Sequence, residues 1–391
     1  MRACRNFGWA ALAAVCLWLA GCAHPSAVPG SDASAQPEGA SGQVAKPGWA
    51  TRTYAVAAAN PLGTEAGQQI LQAGGSAVDA AIAVQMVLTL VEPQSSGIGG
   101  GAFLLHFDGH QVQAYDGRET APAGATPGLF LDASGRPMPF ADAVVGGRSV
   151  GVPGTVRMLA LAHQRHGKLP WADLFQPAVA LATQGFRVSP RMATLLAADP
   201  HLAKDPVAAA YFFDTDGKPW PAGHLLRNPE LAAVLQRLAR EGPDALMRGD
   251  IAQAMVDKVH QHPTNPGTLS LQDLQAYTPK VREPLCYDYA AAAPARAYRI
   301  CGMPPPSSGA LAVGQILGLL QSTDAQRLPL AQGLPTADWL HLYTEAARLA
   351  FADRAQYVAD PDFVQAPGND WHTLLRPAYL KQRAALIQQG S

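Results

Sequence analysis

The sequence predicts an α+β protein in which helices outnumber strands, and three observations lead to this class. Much of the chain after residue 50 carries apolar residues at helical spacing, and residues 77–90 form the most uniformly apolar segment. Strand-like runs come in two pairs, residues 102–107 with 111–115 and residues 283–289 with 297–303. The strands lie in separate clusters, whereas a parallel α/β sheet would alternate them with helices.

The first elements after residue 50 have clear start and stop signals. The pattern of residues 54–59 predicts a strand, and residues 62–73 follow with helical spacing until Gly74-Gly75 ends the helix. Ser76 begins the next helix, and Asp79 three residues later completes a capping pair. Because that helix is apolar on nearly all sides, we expect it to be buried.

A hairpin and further helices make up the rest of the chain. The runs on either side of Asp108-Gly109 predict a β-hairpin. Helical spacing recurs at residues 154–182 (with a break near Gly167 and Pro170), 231–238, 251–259, 310–320, 338–352 and 377–388. No second linker and no internal repeat follow residue 50, so residues 51–391 are expected to form one domain.

The N-terminus has the pattern of an export signal. Arg2 and Arg5 precede a short apolar run at residues 7–17, which is typical of a secretory signal. The run leads into Leu19-Ala20-Gly21-Cys22, which resembles the bacterial lipobox, in which the cysteine is lipidated. We therefore predict a signal peptide at residues 1–21, lipidation of Cys22, and a flexible tether at residues 22–50, rich in Ser, Pro, Gly and Ala. The alternative is an ordinary signal that is cut elsewhere.

The expected location follows from this signal. An exported protein with Ala23 after the lipidated cysteine is expected in the periplasm, anchored to the outer membrane. Cys4 and Cys16 would leave with the signal peptide. Export permits a disulfide between Cys286 and Cys301, which a hairpin would bring together, but two unpaired thiols fit the spacing equally well.

Composition limits the partners of the folded part. Hydrophobic residues make up 48% of the chain and charged residues 15%, which is enough apolar material for a sizeable core and excludes a disordered protein. The net charge of −1 provides no basic field, so no nucleic-acid partner is expected. Metal binding is not expected either, because the only candidates are His260 with His262 in a polar loop and the i,i+4 pair His341 and Glu345, for which surface pairing is the commoner explanation.

Two small-residue motifs favour structural roles. The glycine run at residues 97–101 lacks a Gly-Lys-Ser/Thr ending and leads into a strand, so close backbone approach is expected there and a phosphate loop is not. Ser307-Ser308-Gly309 follows three prolines and differs from a Gly-x-Ser-x-Gly elbow. It predicts an entry into a helix, with Ser308 near the N-cap.

The segment at residues 115–122 carries the strongest candidate for ligand binding. It places Arg118 at a turn directly after a strand. Arginine binds a carboxylate through two parallel hydrogen bonds, so Arg118 is a candidate for recognising one. The alternative is a surface ion pair with Glu119.

Seven segments, in chain order, resemble the gamma-glutamyltransferase (gamma-glutamyltranspeptidase) family and together cover nearly everything after residue 50. They are Asn60-Pro61-Leu62-Gly63-Thr64-Glu65-Ala66-Gly67, Gly74-Gly75-Ser76-Ala77-Val78-Asp79-Ala80-Ala81, residues 96–101, Asp116-Gly117-Arg118-Glu119, Val152-Pro153-Gly154, residues 304–309 and Phe351-Ala352-Asp353-Arg354. The resemblance implies the N-terminal-nucleophile hydrolase fold, a four-layer helix–sheet–sheet–helix (αββα) sandwich. This chain would supply its helix-rich large-subunit part.

The resemblance also implies a reaction and a role for Arg118. In this family a precursor cuts itself before a threonine, and the new N-terminal threonine attacks a gamma-glutamyl amide. Water or an amino acid then accepts the glutamyl group from the acyl-enzyme. The large chain supplies the arginine that binds the substrate's alpha-carboxylate, and Arg118 matches it. The implied substrate is a small gamma-glutamyl compound such as glutathione, the implied partner is the small subunit of the same precursor, and no cofactor is implied.

The sequence departs from the family in one respect that concerns catalysis. It contains no Thr-Thr pair and hence no Thr-Thr-His cleavage motif, and it stops after the helix at residues 377–388, before the expected cleavage site. Residues 51–391 are therefore expected to be a C-terminally incomplete large-subunit domain. No catalytic residue is assigned within this chain, and the chain alone is expected to be inactive.

Two alternatives to a gamma-glutamyltransferase or glutathione hydrolase stay open. One is a related acylase or a poly-gamma-glutamate-cleaving enzyme of the same superfamily. The other is a non-catalytic lipoprotein that binds gamma-glutamyl ligands. Arg118 favours a substrate with a free alpha-carboxylate.

Overall fold

The structure is a computed structural model that describes residues 50–291 and 296–388. By their internal contacts the described residues fall into two units, one of residues 193–220 and the other of the remainder. The domain boundaries expected from the sequence stay a prediction. No helix among the described residues is long and apolar enough to cross a membrane.

Most of the described chain is helical. The helices are α1 (Pro61–Gln72), α2 (Ala77–Val91), α3 (Phe140–Val144), α4 (Thr155–His166), α5 (Gln176–Gln184), α6 (Pro190–Ala198), α7 (Pro206–Phe212), α8 (Pro229–Glu241), α9 (Asp244–Met247), α10 (Gly249–His260), α11 (Leu271–Ala276), α12 (Gly309–Gln321), α13 (Ala337–Tyr357) and α14 (Pro377–Ala384). The helices expected from periodicity are confirmed, although the last ends at Ala384, earlier than expected. The short helices α3, α6, α7, α9 and α11 were not predicted.

The strands of the described residues form three small antiparallel sheets. They are built from β1 (Ala102–Phe107), β2 (Val112–Gly117), β3 (Phe186–Arg187), β4 (Leu225–Leu226), β5 (Lys280–Arg282), β6 (Leu285–Ala291) and β7 (Arg296–Gly302). The largest has the order β1-β2-β5, with β2 in the centre and Ala102 opposite Gly117. The predicted hairpin is thus confirmed, and two backbone N–H groups of its turn donate to Asp108 Oδ1.

The second hairpin settles the pairing of the cysteines. Strands β6 and β7 run antiparallel with Cys286 directly opposite Cys301, and the two residues form a disulfide. The predicted strand pair is confirmed. Of the two alternatives that the spacing left open, the structure therefore shows the bonded one.

The strand expected at residues 54–59 is wrong. Residues 54–58 pair with none of the described strands. Instead Val56 packs against α1. If Gly67 in that helix carried a Cβ atom, the atom would lie only 2.8 Å from Val56 Cγ1. This segment therefore lies against a helix without a strand partner among the described residues.

Helix α2 is the centre of the core, as its apolar sequence predicted. Ile82, Ala83, Met86 and Val87 are fully buried. The helix begins with the predicted capping box, in which Ser76 and Asp79 each accept a hydrogen bond from the other's backbone.

The smaller unit is described separately. Its helix α7 is capped by Asp205, whose side chain accepts from the first turn. The chain then turns back on itself between Phe213 and Pro219, which form an isolated bridge. The indole of Trp220 donates to the Tyr211 carbonyl at 3.0 Å.

Candidate functional site around Arg118

Arg118 lies directly after β2, the central strand of the three-stranded sheet. Its side chain is 49% exposed, and its Nε lies 3.4 Å from Glu119 Oε1, on a side chain that is 43% exposed. The guanidinium carbon also lies 5.9 Å from the centre of the Phe103 ring. An exposed pair of this kind contributes at most about 1 kcal/mol to stability, so a ligand carboxylate can compete with Glu119 for the guanidinium at small cost.

The backbone of Arg118 is fixed on both sides although its side chain is open. Its N–H donates to Asp116 Oδ1 at 3.0 Å. Its carbonyl accepts a hydrogen bond of 2.8 Å from the hydroxyl of Tyr277. A half-exposed guanidinium therefore projects from a rigid base, which is the arrangement that lowers the entropy lost when a ligand is bound.

Asp116 belongs to a network of alternating charges beneath Arg118. The buried Asp116 accepts from Arg282 Nε at 2.6 Å, and Arg282 Nη2 donates to Asp362 at 2.9 Å. Lys280 also donates to Asp362. Hydrogen bonds from Arg282 and Lys280 hold the pKa of Asp362 well below its usual range. Burial acts to lower the pKa of Arg282, but its hydrogen bonds to Asp362 and Asp116 raise it overall. Two cations thus balance two carboxylates, and the Arg118 guanidinium takes no part in this network.

The glycine run comes close to residues 118–119, the Arg118 loop, at one of its positions. A Cβ atom at Gly101 would lie 2.2 Å from Glu119 Oε2 and 2.4 Å from Glu119 N, so only glycine fits there. At Gly99 and Gly100 no atom of the described residues, chain neighbours apart, would lie within 4 Å of such a Cβ atom. The predicted close approach is confirmed for Gly101, whereas a side chain at Gly99 or Gly100 would meet open space.

The motif segment at residues 152–154 contacts both the glycine run and the end of β2. The carbonyl of Gly100 accepts from the N–H groups of Gly154 and Thr155 at 2.9 and 3.1 Å, and from Thr155 Oγ1 at 3.0 Å. A Cβ atom at Gly154 would lie 2.2 Å from the Gly117 carbonyl oxygen. The motif segments at residues 96–101, 116–119 and 152–154, which are far apart in sequence, therefore meet around the base of Arg118.

The last two motif segments, residues 304–309 and 351–354, meet elsewhere. Arg354 Nε donates to Ser308 Oγ at 2.8 Å. Ser308 is the N-cap residue of α12, as predicted, but its side chain makes no capping bond. The buried Asp353 accepts from Gln315 and Tyr379, both at 2.8 Å. These residues tie helices α12, α13 and α14 together, which is a structural role.

The other residues singled out from the sequence take ordinary structural contacts. His341 Nε2 lies 2.8 Å from the Gln388 carbonyl oxygen, and Glu345 pairs with Arg348 at 2.9 Å. His262 Nδ1 accepts from the Asn265 N–H at 3.0 Å. Cys22 lies outside the described residues, so its lipidation stays a prediction, as does the carboxylate-binding role of Arg118.

Sequence reasoning missed the residues that support Arg118. Tyr277 and Arg282 lie in none of the seven motif segments, and their partners Arg118 and Asp116 are 159 and 166 residues away. Strand β5, which carries Arg282, has only three residues and no alternating pattern. No local signal in a single sequence marks such contacts.

Comparisons with known proteins agree on one family. The model of the gamma-glutamyltranspeptidase family matches residues 63–391. The chain is 36% identical over 334 residues to the glutathione hydrolase proenzyme of Bacillus subtilis (strain 168), covering 85% of this chain and 54% of the relative. It is 39% identical over 338 residues to the acylase ACY 1 proenzyme of Pseudomonas sp. (strain SE83), covering 84% and 57%.

The structural comparison gives the same result. The crystal structure of Helicobacter pylori gamma-glutamyltranspeptidase superimposes with a TM-score of 0.79 at 32% identity, covering 88% of this chain and 94% of that one. The predicted α+β class and N-terminal-nucleophile hydrolase fold are thereby confirmed. The chain spans about half the length of the curated relatives it matches. By the match of the family model and by these relatives, the chain belongs to the gamma-glutamyltranspeptidase family.

Proposed function

We propose that this chain is the large-subunit part of a gamma-glutamyltransferase or glutathione hydrolase, in which Arg118 binds the alpha-carboxylate of the gamma-glutamyl substrate. One observation carries the proposal. Three motif segments converge on a rigid backbone from which a half-exposed guanidinium projects, and its ion-pair partner among the described residues is an exposed glutamate. The planar fork of arginine matches a carboxylate with two parallel hydrogen bonds.

The proposed reaction needs groups beyond Arg118. An N-terminal threonine attacks the gamma-carbonyl carbon of the substrate, the amide C–N bond breaks, and the amine leaves with a proton. Water or an amino acid then attacks the resulting ester and frees the threonine. No two threonines are adjacent in these 391 residues. The proposal therefore takes the nucleophile and the oxyanion donors from the small-subunit part of the same precursor.

Arg118 is tested in a precursor that includes this downstream part. Arg118→Ala should lower kcat/KM for gamma-glutamyl-p-nitroanilide by an amount equivalent to about 2–5 kcal/mol, the usual range for truncating one partner of a buried charge pair. Arg118→Lys should recover only part of this loss, because lysine lacks the planar fork. Arg136→Ala, at an exposed arginine that pairs with Asp132 in a turn, is the matched control and should leave the kinetics unchanged. Unaltered kinetics in Arg118→Ala would refute the assignment.

A related acylase is the second candidate, favoured by the 39% identity to acylase ACY 1. Substrate preference distinguishes the two candidate enzymes. A glutathione hydrolase should prefer amides whose acyl group carries a free alpha-carboxylate, and it should lose that preference in Arg118→Ala. An acylase should cleave acyl amides without an alpha-carboxylate at least as well, with little effect of Arg118→Ala. A non-catalytic binder would bind gamma-glutamyl compounds without turnover even when the downstream segment is present.

The small subunit is proposed as a structural partner as well. Strand β1 is an edge strand, and its Leu105 and Phe107 side chains are exposed. An unpaired edge with exposed apolar side chains is prone to aggregation unless a partner covers it. Residues 23–391 expressed alone should therefore be inactive and poorly soluble, and co-expression with the downstream segment should correct both defects. Robust turnover by the purified lone chain would overturn the mechanism.

We further propose that the protein is exported to the periplasm and anchored to the outer membrane through lipid on Cys22. The support is the pattern of residues 1–22 alone, with its positive start, apolar run and Leu-Ala-Gly-Cys ending. Cys22→Ser should release the protein from membranes or leave residues 1–21 attached. A mutant that fractionates like the wild type with an unchanged N-terminus would contradict the lipidation.

A further inference from the structure

Tyr277 connects a distant part of the chain to the candidate site. It follows α11 directly, and its ring is buried. Its hydroxyl donates to the Arg118 carbonyl at 2.8 Å across 159 residues of sequence. Because this carbonyl and the Arg118 side chain branch from adjacent atoms of one residue, the hydrogen bond restrains the point from which the guanidinium projects.

The absence of a side chain at Gly154 leaves room for the Tyr277 hydroxyl. A Cβ atom at Gly154 would lie 2.1 Å from the Tyr277 hydroxyl oxygen and 2.2 Å from the Gly117 carbonyl oxygen. A side chain at position 154 would therefore displace the tyrosine, the β2 end of the Arg118 loop, or both. The glycine of the 152–154 motif thus provides the room in which Tyr277 reaches Arg118.

Tyr277 is itself held in place by α4. Arg157 Nη1 donates to the carbonyls of Leu274 and Gln275 at 3.3 and 3.2 Å, and also to the carbonyl of Tyr277. Arg157 Nη2 pairs with Asp244 at 2.8 Å, and the Arg157 side chain is only 12% exposed. Arg157 therefore fixes the end of α11. Because Tyr277 follows this helix end directly, its hydroxyl is held where it can donate to the Arg118 carbonyl.

The tyrosine also has the protonation state that the contact requires. A carbonyl can only accept, so the hydroxyl must keep its proton. Burial raises the pKa of Tyr277, and the nearby carboxylates of Asp116 and Glu119 raise it further. The hydroxyl therefore keeps its proton, and remains a donor, at neutral pH.

We propose that Tyr277 is a positioning residue for substrate binding, which orients Arg118 toward the alpha-carboxylate through the Arg118 carbonyl. This inference rests on the proposed function of Arg118. It predicts that the loss of one hydroxyl, whose proton is donated to the Arg118 carbonyl, weakens substrate binding more than it slows the chemical step.

The test uses the complete precursor with the downstream segment and the substrate gamma-glutamyl-p-nitroanilide. Tyr277→Phe keeps the ring and removes only the hydroxyl. It should raise KM about 2- to 10-fold, corresponding to the usual net contribution of one hydrogen bond, with kcat changed by less than about twofold. The matched control is Tyr379→Phe, which removes a hydroxyl whose bond to Asp353 has the same length, 2.8 Å. The control should lower the melting temperature and leave KM unchanged.

A double-mutant cycle with Arg118→Ala separates the possible failures. If Tyr277 acts through Arg118, Tyr277→Phe should have no further effect on KM once the guanidinium is gone. An unchanged KM in Tyr277→Phe, or effects of the two substitutions that simply add, would overturn the positioning role while leaving the role of Arg118 intact. If Arg118→Ala alone leaves KM and kcat unchanged, the proposed function and the inference that rests on it are both overturned.

Discussion

Replacing Asp79 should be among the most destabilising single changes in this chain. The carboxylate is completely buried, and its Oδ2 accepts from the N–H groups of Ser76, Lys168 and Leu169 at 2.8, 2.9 and 3.1 Å. Its Oδ1 lies 3.6 Å from His163 Nε2. One side chain thus caps α2 and also holds the loop between α4 and the 3₁₀ turn at Trp171–Phe175.

The magnitude follows from these contacts. Hydrogen bonds to a charged group contribute about 1.5–3 kcal/mol each. Three such bonds to one oxygen do not add fully, and water can reach the two loop N–H groups once the carboxylate is gone. We therefore expect Asp79→Ala to cost about 3–5 kcal/mol, as for the loss of one partner in a buried charged pair. Ser76→Ala, which removes only the cap, should cost about 1 kcal/mol.

Two measurements on the precursor check this expectation. The first is the urea midpoint, which should fall for Asp79→Ala and much less for Ser76→Ala. The second is the rate of trypsin cleavage after Lys168, which should rise because the loop has lost its anchor. Asp338→Ala, at an exposed aspartate in the first turn of α13, is the matched control and should shift stability by no more than about 0.5 kcal/mol. Equal midpoints and equal cleavage for Asp79→Ala and this control would refute the reasoning.

Two further predictions concern His166 and Gly101. Burial, the stacked ring of His106 and the nearby Arg165 lower the pKa of His166 from 6.5. Just below pH 6.5 the unfolded chain therefore binds a proton at His166 that the folded chain does not. The free energy of unfolding should therefore fall as the pH drops below about 6.5, and a His166→Gln variant should show a smaller fall in an unfolding series across pH. Gly101→Ala should raise KM for gamma-glutamyl-p-nitroanilide, because the added methyl group would displace Glu119, whereas Gly99→Ala, with open space around it, should leave KM unchanged.

The elements that local chemistry specifies were predictable. The capping box at Ser76 and Asp79 marks the start of α2, and Asp108-Gly109 marks the turn of the first hairpin. Each signal depends on residues within a few positions of one another, so a single sequence contains it. The position of Arg118 after a strand was predictable for the same reason, and the family resemblance then supplied a role for it.

The support of the site was not predictable, because it depends on contacts between distant segments. Asp79 appeared in the sequence only as a helix cap, although it also binds the backbone at Lys168 and Leu169, 89 and 90 residues away. Tyr277 and Arg282 carry no local pattern at all. Tyr277 contacts Arg118 and Arg282 contacts Asp116 only in the folded chain. The spacing of these residues in the sequence does not indicate either contact.

The wrong prediction at residues 54–59 leads to a last experiment, on Gly67 in α1. Glycine in a helix interior is about 1 kcal/mol less favourable than alanine, so Gly67→Ala would stabilise α1 if no neighbouring side chain met the added methyl group. In the structure the new Cβ would lie 2.8 Å from both Val56 Cγ1 and Val84 Cγ2. Overpacking of this kind costs about 1–3 kcal/mol, which outweighs the gain in helix propensity.

Gly67→Ala should therefore lower the free energy of unfolding, and Val56→Ala in the same chain should recover part of the loss by removing one of the two clashing groups. Gly63→Ala is the matched control in the same helix, because its Cβ would lie 3.2 Å from the nearest atom, Leu88 Cδ2, and the flexible end of that leucine can move. It should be close to neutral. A Gly67→Ala variant more stable than the wild type would contradict both contacts, and a Val56→Ala substitution that recovers none of the loss would mean that Val56 does not pack on α1.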